Sequence, residues 1–279
     1  MLGRTRGAYG WQLFVANLDS GRVRRLLRRD GAVWPSWSPD ASEVVYEQAD
    51  SEGRCDSPAC ADIWRINARG KHPRRLTSLS RRSESPDWSR TGKIVYVRWF
   101  EMDDQIETDI YTIESDGRGV RRLTDTKGED DDPAWSADGQ RIAFSSDREG
   151  RFEIYLMNAD GSDQHRLTNT ENADEYGPSW SPDGTRIAFW RRTDGSEFDS
   201  IVAANADGTG ERTLSGRRES AISPVWSPDG QHIAYIKDTD DLDVADIWVM
   251  RADGREKRKL IDGPFSEPSR LDWTATSRP

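Results

Sequence analysis

Histidine is scarce in this sequence, with three residues in 279. They are His72, His165 and His232, each in a different part of the chain. Metal centres and general bases built on clustered imidazoles therefore have little to draw on. Neither a G-x-S-x-G elbow nor an H-E-x-x-H pair occurs, which removes common signatures of serine hydrolases and zinc peptidases. Cysteine is scarcer still. Cys55 and Cys60 are the only two, and with no His close by in sequence they do not make a zinc site. Two readings of the pair stay open: a small disulfide, which fits an oxidising compartment, or two free thiols. No run of about 18 apolar residues exists, so no transmembrane helix and no membrane insertion are expected. The opening stretch MLGRTRGAYGWQLF lacks an apolar h-region and does not read as a signal peptide. Excess positive charge is also missing. The net charge of -10 argues against a general nucleic-acid binder, and basic peptides or cations are the partners it suits.

Tryptophan is abundant, with 12 residues in a chain that is otherwise polar. Half of them recur in one phrase: PSWSPDA at 35–41, PDWSRTG at 86–92, PAWSADG at 133–139, PSWSPDG at 178–184, PVWSPDG at 224–230, and a worn copy, LDWTATS, at 271–277. Each of the first five copies continues into an alternating apolar run such as RIAFS, then a second run such as EIYLMN, then a turn ending in glycine. Six residues beyond Gly70, Gly117, Gly161, Gly208 and Gly254 stand Leu76, Leu123, Leu167, Leu214 and Leu260. Period-two alternation reads as strands. Ser-Pro-Asp-Gly is a turn in which Pro presets φ, Asp bonds the backbone and Gly accepts positive φ. Four strands per unit of about 45 residues is the signature of propeller blades.

The ends of the chain read as two parts of one unit. WQLFVAN at 11–17 matches a third strand and GRVRRLL at 21–27 a fourth, while the last copy stops after its Trp phrase. The expectation is a single all-β domain, 1–279: a six-bladed β-propeller of four-stranded antiparallel blades. Its blades fall at about 30–78, 79–125, 126–169, 170–215, 216–262, and 263–279 joined with 1–29. The ring closes when the C-terminus supplies the inner strand and the N-terminus the outer three, which removes open sheet edges.

The repeat P-x-W-S-P-D-G-x-x-I-A-F, followed by D-I-Y-x-M-N-A-D-G and R-x-L-T, closely resembles the WD40-like propeller repeat of the TolB family, over essentially the whole chain. Ala41 stands where the turn glycine belongs, and the last copy has lost its Pro, Asp and Gly. The resemblance concerns the propeller alone, because no counterpart of the family's amino-terminal α/β domain is found in this sequence. It implies engagement of partner proteins in the cell envelope, in part by taking extended peptides into the channel mouth. A periplasmic or otherwise extracytoplasmic location goes with it. The missing leader leaves a cytoplasmic one as the alternative.

Function is expected on the face opposite the short, uniform SPDG and NADG turns, where loops vary. Carboxylates precede the in-frame Trp residues there: Glu84, Asp130, Asp131, Asp132, Asp174, Glu175, Glu219 and Glu267, with Trp34 and Tyr176 among them. Their convergence predicts an acidic channel mouth. Calcium is a weaker expectation. Asp131 and Asp132, or Asp238 and Asp240 in the run DTDDLD, are its candidate ligands, but that run lacks the Gly and Glu of a calcium loop. No cofactor is required and no catalytic residue stands out. The Arg-rich runs RVRRLLRR, KHPRRL, RGVRRL and REKRKL map to fourth strands, where charge keeps outer edges from pairing with other sheets. A monomeric binding platform for a protein or basic peptide is the first reading. A saccharide-binding or saccharide-cleaving propeller of the lyase or hydrolase type is the second.

Overall fold

Strands are the only regular structure in the computed structural model, which describes residues 2–7, 10–18, 20–27, 31–49, 61–78, 82–102, 105–216, 218–238, 245–265 and 270–274. The first three strands, β1 (Leu2–Gly7), β2 (Gly10–Ala16) and β3 (Val23–Arg25), form a three-stranded antiparallel sheet. Five four-stranded antiparallel sheets follow. The first blade is β4 (Ala32–Trp37), β5 (Glu43–Ala49), β6 (Ala61–Asn67) and β7 (Arg74–Arg75). The second is β8 (Ser83–Trp88), β9 (Lys93–Met102), β10 (Gln105–Glu114) and β11 (Arg121–Arg122). The third is β12 (Asp130–Trp135), β13 (Arg141–Ser146), β14 (Glu153–Asn158) and β15 (His165–Arg166). The fourth is β16 (Ala173–Trp180), β17 (Arg186–Thr193), β18 (Ser200–Asn205) and β19 (Arg212–Thr213). The fifth is β20 (Ala221–Trp226), β21 (His232–Asp238), β22 (Ala245–Arg251) and β23 (Arg258–Phe265). Hairpins join consecutive strands within each sheet, so the order in space follows the order in sequence.

Six complete blades were expected, and the structure corrects this to five. The N-terminal strands do form three strands of a sheet, but the segment 270–274 adds no inner strand to it; Asp272 alone makes a β-bridge there. Each true inner strand is hairpinned to its second strand, which holds its register. The last copy has lost the Pro, Asp and Gly of that turn, and the sheet it would join comes from the other end of the chain. The circle still closes, because β1 lies against both β4 and β23.

The core lies between blades. In β13 five consecutive residues are buried, because neighbouring blades cover both faces of the sheet and leave no solvent side for the alternation to mark. One interface gathers Ala134, Leu156, Trp180, Phe189 and Val202, and the next gathers Ala203, Trp226, Ile233, Tyr235 and Met250. Full burial of a side chain such as Phe189, with no exposed surface, contributes roughly 2–3 kcal/mol.

The repeated polar letters have structural work to do. In the S-x-D-G turns, Ser136 Oγ donates to Asp138 at 2.6 Å and accepts from Arg141 N at 2.9 Å, while Asp138 also accepts from Gln140 N at 3.0 Å. The acid opening a third strand and the Thr of R-x-L-T form a clamp. Thr168 Oγ1 donates to Glu153 at 2.7 Å and accepts from Ile154 N at 2.9 Å, and Arg166 reaches Glu153 at 3.2 Å. Asp62 with Thr77 and Arg75, and Asp109 with Thr124 and Arg122, repeat it. The basic runs therefore lie on outermost strands, as expected, and their arginines also tie those strands inward. The fixed offset from glycine to leucine is a contact between repeats: a Cβ on Gly161 would sit 2.9 Å from the carbonyl oxygen of Leu123, one blade earlier.

Candidate functional site

Where the inner strands meet, the residue before four of the in-frame Trp residues, Ser36, Asp87, Ser179 and Asp272, stitches one blade to the next. Trp88 N donates to Ser36 Oγ at 3.1 Å, Trp135 N to Asp87 Oδ2 at 2.7 Å, and Trp226 N to Ser179 Oγ at 3.4 Å. The last stitch closes the ring, since Trp37 N donates to Asp272 Oδ2 at 2.6 Å across 235 positions of sequence. These strands surround a central channel of about 490 Å³.

Every inner strand carries a bulge at one place, between Val33 and Ser36, Glu84 and Asp87, Asp131 and Ala134, Tyr176 and Ser179, and Ile222 and Val225. The residue three before the Trp sits inside each bulge with positive φ: Trp34 at 51°, Ser85 at 50°, Asp132 at 53°, Gly177 at 58° and Ser223 at 52°. The following Pro has no N–H for the ladder, which is why the ladder breaks there. Four of these residues are not glycine, and each is held in a conformation that costs an ordinary side chain roughly 1–2 kcal/mol. Trp34, Asp132, Gly177 and Ser223 line the channel, and Arg270, three before Trp273, joins them. Arg270 reaches Asp87 at 3.4 Å and Pro133 O at 3.3 Å.

The expected acidic residues divide into those the channel uses and those the blades use. Glu84, Asp130 to Asp132, and Asp174 to Tyr176 lie within inner strands, not in the connections before them. Asp130 is buried and held by Arg148 at 2.8 Å and Ser146 Oγ at 2.6 Å. Glu175 is buried on Arg191, with Thr170 Oγ1 donating at 3.0 Å. Asp174 accepts from Phe152 N at 3.2 Å and lies 3.5 Å from Arg151. Burial would raise the Glu219 carboxyl, but Lys237, the Gly216 N–H and Lys257 outweigh it and bring it down to about 2. Glu84 is paired with Arg82 at 2.7 Å and accepts from the Trp99 indole. Asp132 faces the channel and accepts from Gly177 N at 3.2 Å. Beside it, burial together with Asp132, Glu84 and Glu129 pushes Asp131 well above the usual carboxylate range. Tyr176 stacks on Trp190 at 4.6 Å and meets Phe152 at 4.8 Å, with the Arg192 guanidinium 5.3 Å from Trp190. Glu267, Asp240, Cys55 and Cys60 lie outside the described residues, as does the side chain of Asp238. Among the described residues no group of three or more His, Cys, Asp or Glu is arranged to hold a metal ion.

The mouth is therefore a mixed surface: Asp132 and Arg270 of opposite charge, Trp34 and Trp190, and the hydroxyl of Ser223. Sequence reasoning missed Arg270, Ser223 and Gly177. Their residue types have nothing in common, and the only shared signal at the five bulged positions is the proline that follows.

A family model described as the TolB beta propeller domain matches residues 99–274. No curated protein matches the chain in sequence. Among solved structures, TolB from Acinetobacter baumannii superposes with a TM-score of 0.80 at 22% identity, over 97% of this chain and 65% of that one. The chain thus spans about two thirds of that TolB. The nidogen/laminin complex contains a chain with a TM-score of 0.74 at 12% identity, covering 97% of this chain and 96% of that one. An oligogalacturonate lyase in complex with manganese gives 0.64 at 14%, over 94% and 73%.

Proposed function

The chain belongs to the TolB beta propeller domain family, and we propose that it is a non-catalytic binding platform that takes an extended protein segment at the mouth of its central channel. One observation carries this reading. A repeated frame presents a different residue at one equivalent bulged position in each inner strand, and keeps a strained backbone at four of them. Strain of this kind persists where the surrounding structure over-determines it, and it collects at binding sites. Variable residues on a rigid, uniform scaffold are the usual form of a recognition surface. Trp34 offers an apolar face, Asp132 an anion and Arg270 a cation, a combination suited to a segment carrying an apolar side chain and a basic one. The similar nidogen/laminin structure is that of a protein–protein assembly. An extracytoplasmic site of action belongs to the same reading, with Cys55 and Cys60 as a disulfide. The mass of the chain alkylated with and without prior reduction tests that bond.

The test of binding is selection from a library of random twelve-residue peptides displayed on phage, run on the parent protein and on a Trp34→Ala/Asp132→Asn variant. Enrichment of peptides with Lys or Arg near an aromatic residue, on the parent alone, supports the proposal. No enrichment, or the same sequences on both proteins, refutes it. The likeness to an oligogalacturonate lyase supports a second reading, action on acidic saccharides. Incubation with oligogalacturonate and manganese, followed by the absorbance of unsaturated products, tests it.

A further inference from the structure

The fourth blade is built from smaller residues than its neighbours at one strand. Its third strand reads SIVAAN, where the third blade has EIYLMN and the fifth DIWVMR. Val202 replaces an aromatic residue, Ala203 stands where the third blade has Leu156, and Ala204 where the others have Met157 and Met250. The charged half of the clamp has gone as well, since Ser200 replaces the acid and Thr213 the arginine, while Ser215 Oγ still accepts from Ile201 N at 2.9 Å. Leu156 fills the interface between the third and fourth blades. Its counterpart Ala203 faces the interface between the fourth and fifth, and a cavity of about 500 Å³ opens there. It lies at the end of the blades that carries the tight turns, beside Gly210, Gln231 and Asp253.

The rim of this cavity is basic on an acidic protein. Arg186, Arg212, Arg251 and His232 stand around it, with Asp253 and Glu256. The two acids are engaged locally: Asp253 accepts from Arg255 N at 3.0 Å within its turn, and Glu256 lies 3.5 Å from Arg251. Arg186 and Arg212 are different. One blade earlier, Arg141 occupies the place of Arg186 and donates to Gly184 O at 3.1 Å. Arg74 and Arg121 occupy the place of Arg212 and donate to Asp116 O and Asp160 O, each at 2.9 Å. Among the described residues Arg186 and Arg212 make no such bond. The Arg186 guanidinium rests 4.5 Å from the Trp226 ring, and Arg212 is near enough to Asp253 to help hold its carboxyl low. Two guanidiniums whose counterparts are spent on the next blade are here left facing an apolar hollow of Ala203, Ala204 and Leu214.

We propose that this cavity is a second binding site, separate from the channel mouth, for a small organic anion: an apolar body seated on Ala203 and Leu214 and an oxyanion head held by Arg212 and Arg186. Guanidinium forks recognise carboxylate and phosphate oxygens through paired hydrogen bonds. Apolar walls with a few convergent polar groups are the usual form of a small-ligand pocket.

The test is isothermal titration of the full chain with phenyl phosphate, benzoate, inorganic phosphate and phenol. Either aromatic anion is expected to bind more tightly than both inorganic phosphate and phenol, and the better of the two identifies the head. Ala203→Leu, which restores the side chain used one interface earlier, is expected to abolish that binding while thermal unfolding is unchanged or raised. Arg212→Gln is expected to weaken it by about tenfold or more, and the Trp34→Ala/Asp132→Asn mouth variant to leave it intact. No binding of either aromatic anion by the parent, equal binding by Ala203→Leu, or equal binding by Arg212→Gln overturns the proposal. If Ala203→Leu fails to fold, Arg212→Gln decides alone.

Discussion

Replacing Asp272 by Asn isolates the stitch that closes the ring. The Asp272 carboxyl is raised to about 6, first by burial, with Asp87 adding to it, while the Trp37 N–H and Arg270 act the other way. A carboxyl raised in the folded state destabilises that state once it ionises. Its contribution is fully present below its ordinary value of 3.8 and is lost as pH rises through about 6. At about 1.4 kcal/mol per pH unit, the gap comes to an upper bound of about 3 kcal/mol. Asn keeps an oxygen to accept from Trp37 N and carries no charge. Asp272→Asn is therefore expected to stabilise the protein by about 1–3 kcal/mol at pH 7.5 and to change it little at pH 4. Urea unfolding of both proteins across that range measures the difference, in which other titrating groups largely cancel. A difference that stays constant with pH would mean that ionisation of Asp272 is not what destabilises the closed ring.

Other expectations follow from single contacts. Thr168→Val leaves Ile154 N without its acceptor and takes one donor from Glu153, which keeps Arg166 and Thr170 N, and a loss of about 1–3 kcal/mol in equilibrium unfolding is expected. Arg148→Ala leaves the buried Asp130 without its cation, which is expected to cost about 3–5 kcal/mol and to be read in the same assay. Gly161→Ala meets positive φ at 83° and the Leu123 carbonyl oxygen together. A lowered melting temperature is expected, whereas Gly184→Ala, with open space around it, should lower it less.

The blades were legible in the sequence because each repeat carries its own turn and clamp residues. S-P-D-G, N-A-D-G and R-x-L-T each correspond to a local hydrogen-bonded device, and local devices leave local signatures. The count of complete blades was not legible. Trp273 looks like an inner-strand Trp, but nothing in LDWTATS provides the hairpin that would pin it beside a strand from the far end of the chain. How the acids before the Trp residues are paired was not legible for a related reason. Acids before the Trp are easily counted, but their partners, Arg191 on the adjacent strand for Glu175 and Arg148 just beyond the adjacent strand for Asp130, become visible only once register is known. The bulge is the least legible feature. It is a property of backbone geometry, and Trp34, Ser85, Asp132, Gly177 and Ser223 share no chemistry that would reveal it.

The measurement that bears most directly on the proposed role is a titration of the most enriched selected peptide against three proteins: the parent, Trp34→Ala/Asp132→Asn at the mouth, and Arg90→Ala at a channel-lining residue in the second blade's S-R-T-G turn, on the tight-turn face. Affinity is expected to fall by about tenfold or more for the mouth variant and to be retained by Arg90→Ala. Equal affinity for the mouth variant and the parent, or a loss confined to Arg90→Ala, contradicts the proposed role.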